Sequence, residues 1–393
     1  MAAYSYCIIT LFLISPLNCY AGNVTNIFDI RDEYNTVKRY VAIILFSLLL
    51  LYGIVSNILL IIVFCSKNTF YSHAFILISS QLIICAFLNF IPQVTIVLFE
   101  MIKTEITEAH NKTWIHNIFA TLDTFSFIAM LHFAFLLAIN RFVAISWQKF
   151  NGFFQSIKFY FLIACVWLSV LVISLLEFHY CIKTFNVSNL GWSINCTKKT
   201  PESGAIFLKF VIRYIWTLAL PIAMFAIYIP IFYNMRRKQN CVLELRKTNE
   251  CEKNDIVKIR KYEWLMSIQA AVVCGAIEIE IICFYFLPQF ALKIAGEAAE
   301  IPVNIFVNCF IIFSHTVLPT ANLIFIKRFR DDIKHAFIDL LSKFKNNYSC
   351  ALIRLWLDPN QSDVLNLKVM EIKIIEISQD AIVFHIVYAK SFS

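Results

Sequence analysis

The sequence has little glycine, little proline and little charge: 7 Gly and 9 Pro in 393 residues, with only 15% Asp, Glu, Lys and Arg. So few Gly and Pro leave little room for a loop-rich architecture. An average soluble domain carries about 25% charged residues, whereas 60% of this chain is hydrophobic. Such a surplus of apolar residues is typical of a protein that spans a lipid bilayer.

Common signatures of catalysis, metal binding and nucleic-acid binding are also missing. There is no Gly-rich phosphate loop, no pair of catalytic carboxylates and no nucleophile–base pattern. The 13 Cys lie mostly inside apolar runs, without a CxxC pair or a Cys/His cluster, so we expect no metal and no other cofactor. The net charge of +8 fits the Lys and Arg that collect at cytoplasmic helix ends. We therefore expect neither an enzyme nor a nucleic-acid-binding protein.

Seven apolar segments are long enough to cross the hydrocarbon core, which takes about 20 residues of helix. They predict an all-α fold, a seven-transmembrane helix bundle in a lipid bilayer. The predicted spans lie at about 40–65, 74–99, 118–141, 158–179, 205–234, 262–287 and 302–326.

A short amphipathic segment follows the seventh span. Phe329, Ile333 and Phe337 recur near helical spacing, and the opposite face is charged. This pattern predicts a helix lying on the membrane surface, so the helical domain extends over residues 40–341. Residues 342–393 form a cytoplasmic tail whose fold the pattern does not specify.

The N-terminal segment resembles that of a protein with a secretory signal peptide. Residues 1–21 contain a short apolar run and end at Ala21, which suits a small-residue cleavage site. They predict a signal peptide, although the segment before the run lacks a positive charge. Residues 22–39 are then expected to be extracellular.

Basic residues and glycosylation sequons predict the orientation of the bundle. One set of loops holds 17 Lys and Arg and the opposite set 9, and the richer set is expected in the cytoplasm. The chain has six glycosylation sequons, and two of them lie in the C-terminal tail. We predict a multi-pass protein of the plasma membrane with an extracellular N-terminus, glycosylated on its outer side at Asn23, Asn111, Asn186 and Asn195.

The third span carries an acid and a base near its two ends. Asp123 and Arg141 are separated by five helical turns, roughly 27 Å, so they lie on one face at opposite edges of the membrane. Charges at this depth usually face a polar interior. The pair indicates a helix that links two compartments, although a helix with polar end residues would show the same pattern.

Other ionisable residues occur on the outer halves of the fifth and sixth spans. Lys209 and Arg213 are four residues apart and share a helix face, whereas Glu278 and Glu280 point in different directions. We interpret Asp123, Lys209, Arg213 and Glu278 as a ligand-binding pocket open to the outside. Structural ion pairs, or basic side chains reaching the surface, are the alternatives.

Cys181 and Cys196 are the only cysteines of the predicted outer loops, and they share one loop. In an oxidising compartment we expect them to form a disulfide. It would close a loop of about 15 residues and contribute nominally ~3 kcal/mol.

Two motifs point to a family. Asn140-Arg141-Phe142 closes the third span, and Leu318-Pro319-x-x-Asn322 lies in the seventh. With seven spans and an outside N-terminus, they resemble the rhodopsin-type G-protein-coupled receptors, whose corresponding motifs are Asp-Arg-Tyr and Asn-Pro-x-x-Tyr. The resemblance covers about residues 40–341 and is supported by Asn57, Trp167 and Pro221 in the first, fourth and fifth spans.

The chain also departs from that family. Gln81 stands where most members keep a sodium-coordinating Asp, and His116 where the third span usually opens with a disulfide Cys. The sixth span lacks the Cys-Trp-x-Pro motif. These eroded motifs, the run Leu-Ala-Ile-Asn-Arg-Phe-Val-Ala-Ile and the high Phe content resemble the nematode serpentine chemoreceptors, in particular class x.

The resemblance implies a chemosensory receptor that binds an extracellular small molecule or peptide and activates a heterotrimeric G protein. Asn140 and Arg141 would couple to the G protein, and Pro319 and Asn322 would form the activation motif. Because Asn140 replaces the family's Asp, we expect signalling without ligand. A transporter or channel is the alternative, but the internal repeats common in transporters are not found in this sequence.

Overall fold

The computed structural model describes residues 30, 35–65, 71–102, 114–180, 182–195, 217–245, 253–336, 338 and 342. In these ranges the chain is predominantly helical, and seven helices are long and apolar enough to cross a membrane. The predicted all-α seven-helix bundle is therefore confirmed. The predicted signal peptide, most of residues 22–39 and nearly all of the C-terminal tail lie outside the described residues.

The helices coincide with the predicted spans, except that the fifth ends 11 residues after its predicted end and the sixth begins nine residues before its predicted start. Helices α1 to α6 correspond to the first six spans, α7 is a short connecting helix, and α8 and α9 together make the seventh span. In chain order they are α1 Thr36–Cys65, α2 His73–Pro92, α3 Trp114–Ser146, α4 Ile157–Tyr180, α5 Thr217–Leu245, α6 Lys253–Tyr285, α7 Leu287–Ala295, α8 Glu300–Ser314 and α9 Val317–Phe325. Residues 205–216, the predicted start of the fifth span, lie outside the described ranges.

Helix α3 occupies the centre of the bundle. In its apolar stretch 78% of the residues are buried, compared with 22% for α4. Large apolar side chains of α1 and α4, such as Leu48 and Phe161, are exposed, as expected of faces that contact lipid. Side chains on α3 can therefore contact several helices at once.

A proline explains the break between α8 and α9. Pro319 has no backbone N–H, and its ring crowds the carbonyl four residues earlier, that of His315. The helix is interrupted at His315 and Thr316. The Asn57 side chain donates a hydrogen bond to the His315 carbonyl at 3.3 Å, so the freed acceptor is satisfied inside the bundle.

The loop after α4 forms a β-hairpin, which the sequence interpretation did not identify. Strands β1, Ile182–Asn186, and β2, Gly191–Asn195, pair antiparallel with Phe185 opposite Trp192. The turn between them ends at Leu190, which adopts a positive φ of 56° and is fully buried. The end of the bundle at which this hairpin lies is called the hairpin end below.

A further helix covers residues 327–336, where the amphipathic segment is predicted to begin. The Arg330 guanidinium donates to the carbonyls of Leu323 and Ile324, both at 2.8 Å. These bonds satisfy acceptors at the C-terminus of α9. Residues 337 and 339–341 lie outside the described ranges, and the position of this helix on a membrane surface stays a prediction.

Candidate functional site

Asp123 forms a buried ion pair with Lys183 of the hairpin. The Lys183 ammonium donates to Asp123 Oδ2, and each side chain is only 9% exposed. The ammonium also donates to Thr124 Oγ1 at 3.2 Å and lies 4.6 Å from the centre of the Trp192 ring. The positive charge thus has an acid, a hydroxyl and an aromatic face as partners.

Helix α2 supplies the other partners of Asp123. Asn89 and Gln93 donate to Asp123 Oδ1 at 2.9 and 3.2 Å. They are four residues apart and share a helix face. Gln93 begins a π-helical turn, Gln93–Leu98, directly after Pro92, and such turns are frequent at functional sites. Both carboxylate oxygens of Asp123 are therefore hydrogen-bonded.

Sequence reasoning missed Lys183. The sequence interpretation grouped Asp123 with Lys209 and Arg213, and both lie outside the described residues. The usable signal was the alternation along β1: Lys183 and Phe185 share a strand face, and Phe185 is buried. A lysine on a buried strand face requires an acid nearby.

Of Glu278 and Glu280 on α6, the structure buries Glu280. This side chain is 3% exposed, lies beside Ser314 and is within electrostatic range of Asp123 and Lys183. Glu278, chosen in the sequence interpretation, is only half-buried. The two positions differ by about 200° around the helix, so only one can face this centre. Asn89, Gln93, Asp123, Lys183 and Glu280 are called the polar centre below.

The hairpin is also fastened to the seventh span. Asn304 and Asn308, one turn apart on α8, donate to the carbonyls of Asn189 and Leu190, each at 2.8 Å. The Asn189 side chain in turn donates to Glu300 Oε1 at 2.8 Å. The strands are thus held to α3 by Lys183 and the turn is held to α8. His116 stands where the resemblance implies a disulfide Cys, and the ion pair supplies another link between the loop and the third span.

Arg141 lies buried at the opposite end of α3. It is 8% exposed, and its guanidinium carbon lies 4.8 Å from the centre of the Phe75 ring. Asn140 is also buried. The polar centre and Arg141 are therefore joined by one uninterrupted helix.

A chain of contacts links Arg141 with the seventh span. The Phe75 ring stacks on Tyr71 with 5.3 Å between ring centres, and the Tyr71 hydroxyl donates to Asn322 Oδ1 at 2.9 Å. The structure thus brings the predicted coupling residue and part of the predicted activation motif together through two aromatic rings. Pro319 of that motif lies in the first turn of α9, next to the helix break.

Comparison with protein-family models finds no match, and comparison with curated proteins finds no relative. Within the described ranges, no group of three or more His, Cys, Asp or Glu is placed to hold a metal ion.

Two of the four predicted glycosylation positions fall on described residues. Asn186 ends β1 with an exposed side chain, whose Oδ1 accepts from the Ser188 hydroxyl at 2.7 Å. Asn195 ends β2. Asn23 and Asn111 lie outside the described residues, and glycosylation at all four positions stays a prediction.

We predict that Cys181 and Cys196 form a disulfide. Both lie outside the described residues, but their neighbours Ile182 and Asn195 stand directly opposite each other in the hairpin register. A thiol-reactive probe should label neither cysteine before reduction and both after it. Cys196→Ser should expose Cys181 to the probe and lower surface expression, since the bond contributes about 3 kcal/mol.

The control for this measurement is Cys165→Ser, which removes an exposed free cysteine on α4. It should leave surface expression unchanged. Labelling of both hairpin cysteines in the untreated protein would show that the bridge does not exist.

Proposed function

We propose that this chain is a G-protein-coupled receptor of the plasma membrane with a chemosensory role. An extracellular ligand binds at the hairpin end, and a heterotrimeric G protein binds at the Arg141 end. The N-terminus and the hairpin are then extracellular. The proposal joins the motif resemblance to nematode serpentine chemoreceptors with the arrangement of charges in the bundle.

The observation that carries the proposal is the placement of two buried charges on α3. Asp123 is hydrogen-bonded beneath the hairpin, and Arg141 packs against Phe75 at the other end. The helix between them has no break and lies at the centre of the bundle. A ligand that favours one position of α3 at the hairpin end must therefore change the populations of positions available to Arg141.

The seventh span supplies an element that can change shape. The break between α8 and α9 separates Asn304 and Asn308, which hold the hairpin, from Asn322, which is linked to Arg141 through Tyr71 and Phe75. Bending at the break would move α9 relative to α8. Helix interruptions of this kind absorb conformational change, and this one lies between the two proposed binding ends.

A ligand screen with a G-protein readout tests the proposal. Cells expressing the full chain with a promiscuous G-protein α subunit are exposed to a panel of small amines, amides and short peptides. At least one compound should raise the second messenger above the level in cells without the protein. A non-hydrolysable GDP analogue introduced into permeabilised cells should remove that response.

The same compounds distinguish a receptor from a transporter or channel. A solute-dependent current or uptake that persists with the GDP analogue would contradict the receptor proposal. A transporter carries its solute across the membrane by alternating access. A receptor signals without transporting its ligand.

A further inference from the structure

A polar cavity lies beside the turn of the hairpin. It encloses about 280 Å³ between the hairpin, the end of α6 and the outer half of α8. Its walls include the aromatic side chains of Trp192, Phe284 and Tyr285 and the amides of Asn304 and Asn308. Half of the lining residues are polar, so the cavity offers a small molecule both an aromatic surface and groups that fix its orientation by hydrogen bonds.

Two buried polar atoms on the lining residues have no hydrogen-bond partner in the part of the chain that the structure describes. Asn308 is 2% exposed, and its Nδ2 donates to the carbonyls of Leu190 and Asn304, while its Oδ1 accepts no bond. The Trp192 indole Nε1 is buried and donates no bond. Since buried polar groups are nearly always satisfied, an unused acceptor and an unused donor on the lining of one cavity indicate that a ligand completes it.

The charge of the lining selects the sign of that ligand. Glu300, half-buried in the first turn of α8, is the only charged side chain among the described lining residues, none of which is Lys, Arg or His. One of its carboxylate oxygens accepts from Asn189. A cation is therefore favoured in the cavity, while a carboxylate on the ligand would be buried without a positive partner.

We propose that this cavity binds a small primary amine that carries an amide carbonyl. The ammonium donates to Glu300, the amide N–H donates to Asn308 Oδ1, the amide carbonyl accepts from the Trp192 indole, and an apolar group packs against Phe284 and Tyr285. The site is separate from Asp123, whose charge Lys183 already neutralises. This site rests on the proposed receptor function and specifies the class of ligand that the receptor would bind.

Four matched probes test the ligand class on the purified full chain in lipid nanodiscs, without any G protein. Phenylalaninamide carries both the ammonium and the amide. Phenethylamine carries only the ammonium, and 3-phenylpropionamide carries only the amide. Phenylalanine carries the ammonium and has a carboxylate in place of the amide. Binding is measured by isothermal titration calorimetry. Phenylalaninamide should bind most tightly and phenylalanine most weakly.

Two substitutions connect the binding to named atoms. Glu300→Gln keeps the oxygen that accepts from Asn189 and removes the charge, so phenylalaninamide affinity should fall about tenfold, as for a lost hydrogen bond between charged groups. Trp192→Phe keeps a ring and removes the donor. It should weaken phenylalaninamide several-fold and leave phenethylamine unchanged.

The control is Glu297→Gln, which neutralises an exposed glutamate of the adjacent 3-10 helix. It should leave all four affinities unchanged. Equal weakening by Glu297→Gln and Glu300→Gln, or no binding of phenylalaninamide to the unmodified chain, would overturn the assignment.

The binding test and the receptor test fail separately. Glu300-dependent binding without any G-protein response would leave the site standing and count against the receptor function. A G-protein response to a compound whose potency does not depend on Glu300 would support the receptor function and count against this binding site.

Discussion

Arg141→Ala should abolish G-protein activation while the protein reaches the cell surface in normal amounts. The Arg141 guanidinium is charged at every physiological pH, and it is the predicted contact for the G protein. Alanine removes this charge and the packing over Phe75, which joins Arg141 to Tyr71 and Asn322. Second-messenger output, divided by surface level from an N-terminal epitope tag, measures the effect.

The matched variant is Arg141→Lys, which keeps the charge and loses the planar group that lies over Phe75. It should signal at an intermediate level, because lysine does not replace arginine at a stacked position. Normal signalling by Arg141→Ala at equal surface level would rule out this coupling mechanism.

Asn140→Asp tests the resting state at the same position. It adds an acid next to Arg141, as in the family that the motif resembles, and should lower signalling without ligand. A shift of only about 1.4 kcal/mol changes the ratio of active to inactive protein tenfold, so the decrease is measurable. Unchanged or higher basal output would show that Asn140 does not set the resting state.

Lys183→Met should strongly destabilise the protein. It leaves Asp123 buried without its positive partner, and breaking a buried ion pair from one side costs about 3–5 kcal/mol. Methionine fills a similar volume, so the lost charge accounts for most of the effect. The midpoint of thermal unfolding, followed by size-exclusion chromatography of the detergent-solubilised protein, should fall well below that of the unmodified chain.

Removing both charges distinguishes the destabilisation caused by an unpaired buried charge from that caused by lost side-chain packing. The double variant Asp123→Asn with Lys183→Met leaves no charge of this pair buried alone, so its unfolding midpoint should lie above that of Lys183→Met. Such non-additivity is expected of residues in direct contact. Lys293→Met, at an exposed position of α7, is the control and should change stability by less than about 0.5 kcal/mol. Strictly additive losses would show that the two side chains do not interact.

The architecture was predictable because lipid imposes a simple rule on sequence. A spanning helix must satisfy its own backbone hydrogen bonds and present apolar side chains over about 20 residues. Composition and run length therefore located the seven spans to within a few residues at most described ends, although α5 ends 11 residues after its predicted end and α6 begins nine residues before its predicted start. The fixed rotation per residue likewise placed Asp123 and Arg141 on one face of α3.

The contacts that make up the candidate site were decided only by tertiary structure. Lys183 lies far from Asp123 along the chain, and the alternation along β1 could indicate only that Lys183 needs an acid, not that Asp123 is that acid. Nor did the sequence distinguish Glu280 from Glu278, because the lipid-facing and interior faces of α6 are both apolar and periodicity is then weak. Partner choice between helices depends on packing across the bundle. For that reason the sequence determined the helices and the ends of α3, and the folded bundle determined which side chains meet between them.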